Sequence, residues 1–214
     1  MIVNERFTDY LHSLEESMDE VLEKIGQEAR SQGVPIIRPE TGALLRTLIH
    51  MKKPMKVLEV GTATGYSAIM MSECLPEGAG LVTIENYEKR ITAARENIRK
   101  AGMQDVITLI EGDALKVLPD LESGFDFIFM DAAKAQYINM LDDALRLLSP
   151  GGVLISDNVL QDGDIIESRF AVTRRNRTIH KRMRDYLWKL KHMPELETAV
   201  LTVGDGLTVS VKKQ

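Results

Sequence analysis

Apolar residues along this chain follow two rhythms, and their alternation predicts an architecture. Between residues 4 and 33, Phe7, Leu11, Leu14, Met18, Val21, Leu22 and Ile25 recur by threes and fours, and Gly33 offers a stop. That spacing predicts an N-terminal helical region. After Pro35-Ile-Ile-Arg-Pro39, a short helix is expected around Thr41 to Met51. Solid apolar runs then begin, predicting strands at Lys56 to Val60, Leu81 to Glu85, Val106 to Glu111, Phe125 to Met130 and Val153 to Ser156. Between them helical spacing recurs from Ser67, from Glu88 to Ala101, in a short stretch ending near Pro119, and from Gln136 to Leu148. Strands and helices alternating at this spacing predict a parallel sheet covered on both faces.

The rhythm changes after Asp157. A loop and a long basic helix lead to apolar runs at Thr198 to Val203 and Leu207 to Val211, joined by Gly204-Asp205-Gly206, a link short enough for a hairpin. Five parallel units closed by an antiparallel hairpin, seven strands in all, are the α/β, Rossmann-like arrangement expected of a class I methyltransferase. With 214 residues and 44% hydrophobic content, the chain is sized for a single domain, residues 1–52 forming the helical region and 53–214 the core. The net charge of -5 argues against nucleic-acid binding by the whole surface, though it says nothing of a local patch. The single Cys74 excludes an intrachain disulfide and reads as packing, and the four histidines lack metal-ligand spacing. No stretch approaches the roughly 20 apolar residues of a membrane span, and the first residues carry no leader pattern, so a cytoplasmic protein is expected.

Candidate chemistry begins at Val57-Leu-Glu-Val-Gly-Thr-Ala-Thr-Gly-Tyr-Ser67, which reads as a strand, a glycine turn and a helix start. Ligands of open parallel sheets sit beyond the carboxyl ends of strands, where the winding reverses. A dinucleotide site would want Gly-x-Gly-x-x-Gly, whereas Glu59, Gly61 and Gly65 give a different spacing that disfavours NAD. Glu59 suits a cofactor with a cationic amino-acid end. Glu85, at the end of the second strand, can accept from ribose hydroxyls, and Asp113 follows the third strand near an expected adenine. Taken singly, each could be a cap or a solvated carboxylate; acidic residues after three successive strands favour S-adenosylmethionine.

The next two strand ends carry Asp131, then Asp157 and Asn158. If those strands are neighbours, three hard oxygen ligands surround one point, and such donors favour magnesium or a similar ion. The competing reading of Asp157-Asn158 is a cap or an Asx turn. Lys134, three residues after Asp131, is a candidate general base or an electrostatic aid. Methyl transfer from a sulfonium needs a readily deprotonated acceptor, so the expected substrate carries a hydroxyl beside a second oxygen.

The ordered motifs Pro39-Glu40-Thr41-Gly42, Glu59 to Ser67, Glu85, Asp131-Ala-Ala-Lys134, Asp157-Asn158 and the final hairpin resemble the cation-dependent O-methyltransferases, the family of catechol and caffeoyl-coenzyme A O-methyltransferases. The resemblance spans nearly the whole chain. It implies metal binding by Asp131, Asp157 and Asn158, and Lys134 as catalytic base. It further implies cofactor contacts at Ile37, Glu59, Gly61, Tyr66, Ser67, Glu85, Asp113, Ala114 and Asp131, and a homodimer. Within the family the chain looks like the bacterial branch that methylates 5-hydroxyuridine at the tRNA wobble position to give 5-methoxyuridine. A 5-hydroxyl beside the 4-carbonyl of uracil chelates much as a catechol does, so small catechols or phenolic coenzyme A thioesters are the alternative acceptors.

From Arg169 to His192, nine lysines and arginines stand against Asp185 alone. Arg174, Arg175, Arg177, Lys181 and Arg182 are the candidate contacts to the phosphates of a tRNA anticodon stem-loop. The segment also reads as an amphipathic helix with apolar Ile179, Met183, Leu187 and Leu190, or as a surface for coenzyme A phosphates. Tyr186 and Trp188 could stack on a base or pack; Phe7, Tyr10 and Met18 read as packing residues. A non-catalytic RNA-binding module would need neither Lys134 nor the three metal-ligand candidates, and their presence together favours an enzyme.

Overall fold

A computed structural model describes residues 3–15 and 19–214; Met18 of the N-terminal stripe lies outside the described residues. The helical region divides into α1 (Glu5–Ser13), α2 (Glu20–Ser31) and α3 (Pro39–Lys52). The side chains of Asn4 and Asp19 cap α1 and α2 by accepting from the backbone N–H groups of Arg6 and Val21, and Pro39 opens α3. The core then alternates β1 (Lys56–Val60), α4 (Tyr66–Ser72), β2 (Gly80–Glu85), α5 (Glu88–Lys100), β3 (Ile107–Glu111), α6 (Ala114–Val117), β4 (Phe125–Met130), α7 (Tyr137–Leu147) and β5 (Leu148–Ser156). It finishes with α8 (Arg177–His192), β6 (Leu196–Leu201) and β7 (Leu207–Lys212).

The sheet order is β3-β2-β1-β4-β5-β7-β6, parallel from β3 to β5 and antiparallel at β7 and β6. Direction of winding reverses between β1 and β4, which opens a crevice at their carboxyl ends. Both faces are covered, as the solid apolar runs require. On β4, Ile128 and Met130 pack into one face cluster while Phe127 and Phe129 enter the other. Phe125 breaks the alternation, joining the face of Ile128, at a register irregularity in the β4–β5 pairing. Each such fully buried side chain contributes about 1.5–3 kcal/mol relative to exposure.

Three expectations shift. β5 starts at Leu148 and absorbs the Ser-Pro-Gly-Gly segment, because Phe125 pairs with Leu148 before the register changes. β6 spans Leu196–Leu201, two residues earlier than the apolar run suggested. The basic helix begins only at Arg177, so Arg174 and Arg175 lie in the turns before it.

The N-terminal stripe has two fates. Leu22 and Ile25 of α2 are buried in the core, but α1 buries none of its residues, and Phe7, Tyr10, Leu11 and Leu14 are exposed rather than packed within the chain. Polar ties hold α1 to its neighbourhood: His12 meets Glu40 at 2.7 Å and Arg46 meets Glu15 at 2.8 Å. No helix among the described residues is long and apolar enough to cross a membrane.

Candidate active site

A cavity of about 690 Å³ opens at the carboxyl ends of β1, β2, β4 and β5. Ile37, Gly61, Glu85, Asp113, Ala114, Asp131, Lys134, Asp157 and Asn158 all line it, so sequence candidates from six separate segments converge. Tyr66 and Ser67 line a small adjoining recess with Gly61 and Asp131.

Gly61 shows why the β1 turn needs glycine. Its φ is +104°, and a Cβ there would stand 2.1 Å from the carbonyl oxygen of Asp131. The turn after β1 therefore lies directly on the end of β4, a close approach that only hydrogen in place of a side chain permits. Gly65, with φ +82°, forms the cap of α4.

Glu85 accepts from the backbone N–H groups of Ala63 (2.9 Å), Asn86 (2.9 Å) and Tyr87 (3.0 Å), so it fixes the loops on both sides of the cavity floor. Asp113 accepts from Leu115 N–H at 3.0 Å and caps α6, which is the capping reading realised at the cavity edge. Glu59 stands apart: it is sealed beneath the turn, accepting from Ser67 Oγ and Thr83 Oγ1, each at 2.5 Å. Burial pushes its carboxyl up to about 7, against the pull of those two hydroxyls. Its position braces the turn without reaching the cavity wall.

At the other half of the crevice, the carboxylates of Asp131 and Asp157 end adjacent strands. Asn158 takes a left-handed backbone, φ +61°, which turns its amide onto Asp131, with Nδ2 donating to Oδ1 at 3.2 Å. Its backbone N–H donates to Asp157 Oδ1 at 2.6 Å, so the Asx turn coexists with the cluster. Among the described residues, Asn158 supplies the only hydrogen bonds to these two carboxylates. Burial raises Asp131 to about 6 even though Lys134, Asn158 and Arg90 pull it down. Burial raises Asp157 to about 7, reinforced by repulsion from Asp131 and Asp205. No three His, Cys, Asp or Glu side chains among the described residues form a cluster suited to a metal ion. Here the set is two carboxylates and an amide, all hard oxygen donors and short of partners, and it fits a divalent cation. The amide would present its oxygen, the reverse of the hydrogen bond it now makes.

Tyr137 locks the two strand ends together. Wholly buried, its hydroxyl lies 3.0 Å from Met130 O and 3.1 Å from Asp157 O, and burial holds its proton far above the usual phenol range. Lys134 sits on the 3₁₀ turn before α7, its Nζ 3.1 Å from Asp205 Oδ2. Asp205, Arg38, Arg90 and Asp162 also line the cavity and were not singled out by sequence. The Gly204-Asp205-Gly206 signal was visible but reads as turn chemistry alone.

The basic segment is largely committed to the protein. Arg177 bonds Val172 O, Lys181 pairs with Asp185, Arg182 bonds Ala135 O, Arg184 bonds Ile165 O, and Lys189 reaches Asp142. Arg169, Arg174 and Arg175 are exposed and have no hydrogen bond or ion pair among the described residues. Tyr186 is core, 2.5 Å from Ser156 Oγ, whereas Trp188 is exposed and stacks on His192.

A sheet reversed at β1/β4, a glycine turn beneath the crevice and acidic residues at successive strand ends define a class I methyltransferase, the architecture of enzymes that use S-adenosylmethionine. Within that class, the O-methyltransferase family model matches residues 10–213, and the chain belongs to that family. A catechol O-methyltransferase of Niastella koreensis is 35% identical over 164 residues, covering 74% of each chain. A putative caffeoyl-CoA O-methyltransferase of Arabidopsis thaliana is 30% identical over 199 residues, 92% of this chain and 84% of that one. Among solved structures, a putative caffeoyl-CoA O-methyltransferase from Staphylococcus aureus superposes with a TM-score of 0.90 at 31% identity, covering 97% of this chain and all of that one. The O-methyltransferase from Bacillus cereus in complex with SAH gives 0.86 at 30% identity, covering 97% of both.

Proposed function

We propose that this chain is a magnesium-dependent, S-adenosylmethionine-dependent O-methyltransferase acting on the 5-hydroxyl of 5-hydroxyuridine at the tRNA wobble position, giving 5-methoxyuridine. The observation that carries the chemistry is the pair of Asp157, buried, and Asp131, half-buried at the cavity wall, both short of donors and flanked by Asn158 and Lys134. When bound, the sulfonium supplies the methyl group, and a cation held by Asp131, Asp157 and Asn158 stabilises the acceptor oxyanion.

The chain's own residues do the rest. Glu85 and Asp113 line the cavity, which supports reading Glu85 as acceptor for ribose hydroxyls and Asp113 as a contact on the adenine side. Ile37 closes a wall against water, and Lys134 Nζ takes the proton of the acceptor hydroxyl. The tRNA acceptor is supported by Arg169, Arg174 and Arg175, exposed and without protein partners on the segment that follows Asn158. A homodimer through the exposed stripe of α1 is part of the same reading. A second reading, a small catechol or a phenolic coenzyme A thioester as acceptor, is favoured by the names of the relatives.

Nucleoside mass spectrometry of tRNA carrying 5-hydroxyuridine, incubated with the protein, S-adenosylmethionine and magnesium, tests the choice. Chelator-sensitive 5-methoxyuridine is expected. No product from tRNA, with turnover of a catechol, moves the acceptor to the second reading.

A further inference from the structure

The hairpin turn between β6 and β7 carries the one acidic side chain in the cavity whose partner is Lys134. Asp205 is 6% exposed, and its carboxylate divides its work. Oδ2 receives Lys134 Nζ at 3.1 Å, while Oδ1 accepts the backbone N–H of Asp162. Lys134 has no other hydrogen bond or ion pair among the described residues. A lysine on a short 3₁₀ turn, with a flexible four-carbon stem, does not hold its Nζ at one point by itself.

The turn needs no carboxylate to keep its shape. Gly206 N–H bonds Val203 O at 2.9 Å, and Val159 and Leu160 N–H bond Gly206 O and Asp205 O, each at 3.0 Å. Gly206, at φ +84°, lies so close to Leu160 that a Cβ would meet its Cγ at 2.2 Å. Gly204, at φ +59°, lies so close to Thr41 that a Cβ would stand 2.6 Å from its hydroxyl oxygen. Backbone and glycine contacts therefore fasten the turn to the loop after Asn158 and to α3. The side chain of Asp205 is left to face inward, a buried charge whose position is explained by what it holds.

We propose that Asp205 is a positioning residue for Lys134: Oδ2 accepts one N–H of the side-chain nitrogen, so that in the neutral amine form a base requires, its lone pair meets the acceptor hydroxyl in one geometry and takes its proton. The proposal rests on the reading of Lys134 as the base. A displacement of about 1 Å in such a group can lower turnover by roughly 100-fold.

The test combines two readouts. First, kcat and KM for whichever acceptor the wild type turns over, tRNA carrying 5-hydroxyuridine or a catechol, are measured with S-adenosylmethionine and magnesium in wild type, Asp205→Asn, Lys134→Met and the double variant. The expected result is a 10- to 100-fold fall in kcat for Asp205→Asn, estimated as roughly the cost of a misplaced group. KM for S-adenosylmethionine and the melting temperature should change little, and there should be no further loss when Asp205→Asn is added to Lys134→Met. Additive losses in the cycle overturn the proposal.

Second, the rate at which an amine-acylating reagent labels Lys134 is followed by peptide mass spectrometry, with neither acceptor nor metal present. Labelling several-fold faster in Asp205→Asn, with other lysines unchanged, is expected; an unchanged rate overturns the anchor. This arm separates the two ideas, since Lys134→Met with full turnover removes the base but leaves the labelling result standing. Should Asp205→Asn unfold, Asp205→Glu carries the test: it keeps the charge one methylene further out, so Lys134 stays protected while kcat falls by a smaller factor. A kcat at or above wild type in that variant overturns the proposal.

Discussion

The two halves of the crevice treat their carboxylates in opposite ways. Beneath β1 and β2, Glu59 is met by two hydroxyls and Glu85 by three backbone N–H groups. Beyond β4 and β5, Asp131 and Asp157 are packed near one another and share the donors of a single residue, Asn158. Burial lifts Glu59 and Asp157 alike to about 7, so depth alone does not separate them. What differs is the completion of their hydrogen bonds. Carboxylates met by several donors hold loops in place, Glu85 keeping acceptor capacity toward the cavity; carboxylates left short, and repelling each other, are arranged for a ligand that brings positive charge.

That contrast breaks most visibly under Asp157→Ala. Methyl transfer should fall by roughly 100- to 1,000-fold, the scale of losing a group that stabilises the developing oxyanion. The metal-free protein should be no less stable at neutral pH, since a repelling buried charge has gone. Steady-state rates and thermal unfolding in chelator check both halves, and a sharp loss of stability would make Asp157 a structural residue like Glu59. Glu59→Ala should behave in reverse, costing about 2–4 kcal/mol in urea unfolding as buried hydroxyls lose their acceptor and a cavity opens.

The pH dependence sharpens the same point. Asp131 and Asp157 ionise in the fold at about 6 and about 7, well above their ordinary range. Between pH ~4 and ~7 the folded form thus holds more protons than the unfolded, and their contribution to stability falls as pH rises through that window. A cation needs both ionised, so millimolar magnesium should raise the melting temperature strongly near pH ~8 and hardly at all near pH ~5.5. A shift independent of pH would place the ion elsewhere. The smallest effect belongs to the surface: charge reversal at Arg174 and Arg175 should weaken tRNA methylation several-fold and reduce the salt slope by about 2. Unaltered salt dependence would remove that surface from the argument.

The strand ends were legible in the sequence because each lies at the end of a solid apolar run. Those runs fix the sheet, and the sheet brings Gly61, Glu85, Asp131, Asp157 and Asn158 to one edge. Glu59 reads as a cavity residue in sequence, but strand alternation and the hydroxyls of Ser67 and Thr83 place it under the floor. Asp205 was not legible as a site residue, because a Gly-Asp-Gly link satisfies turn chemistry whatever its side chain meets. Nor was the division of the basic segment: which arginines bond carbonyls depends on where α8 starts and on turns distant in the chain, such as the one at Ala135, 47 residues before Arg182. Linear charge density carries no such information.

The position of β7 has a bearing on how the molecule comes into being. The last strand in sequence is not the edge of the sheet but lies between β5 and β6, and the turn that leads into it delivers Asp205 to Lys134. During synthesis, β1 to β5 can pair as each emerges, yet β5 keeps a bare edge until the final strand docks. The parallel sheet can thus form with its reaction centre still one clasp short, and catalytic competence should lag behind it. Chains stalled before Leu207 are expected to be prone to edge-to-edge association, making the finishing of this enzyme and its escape from aggregation a single event.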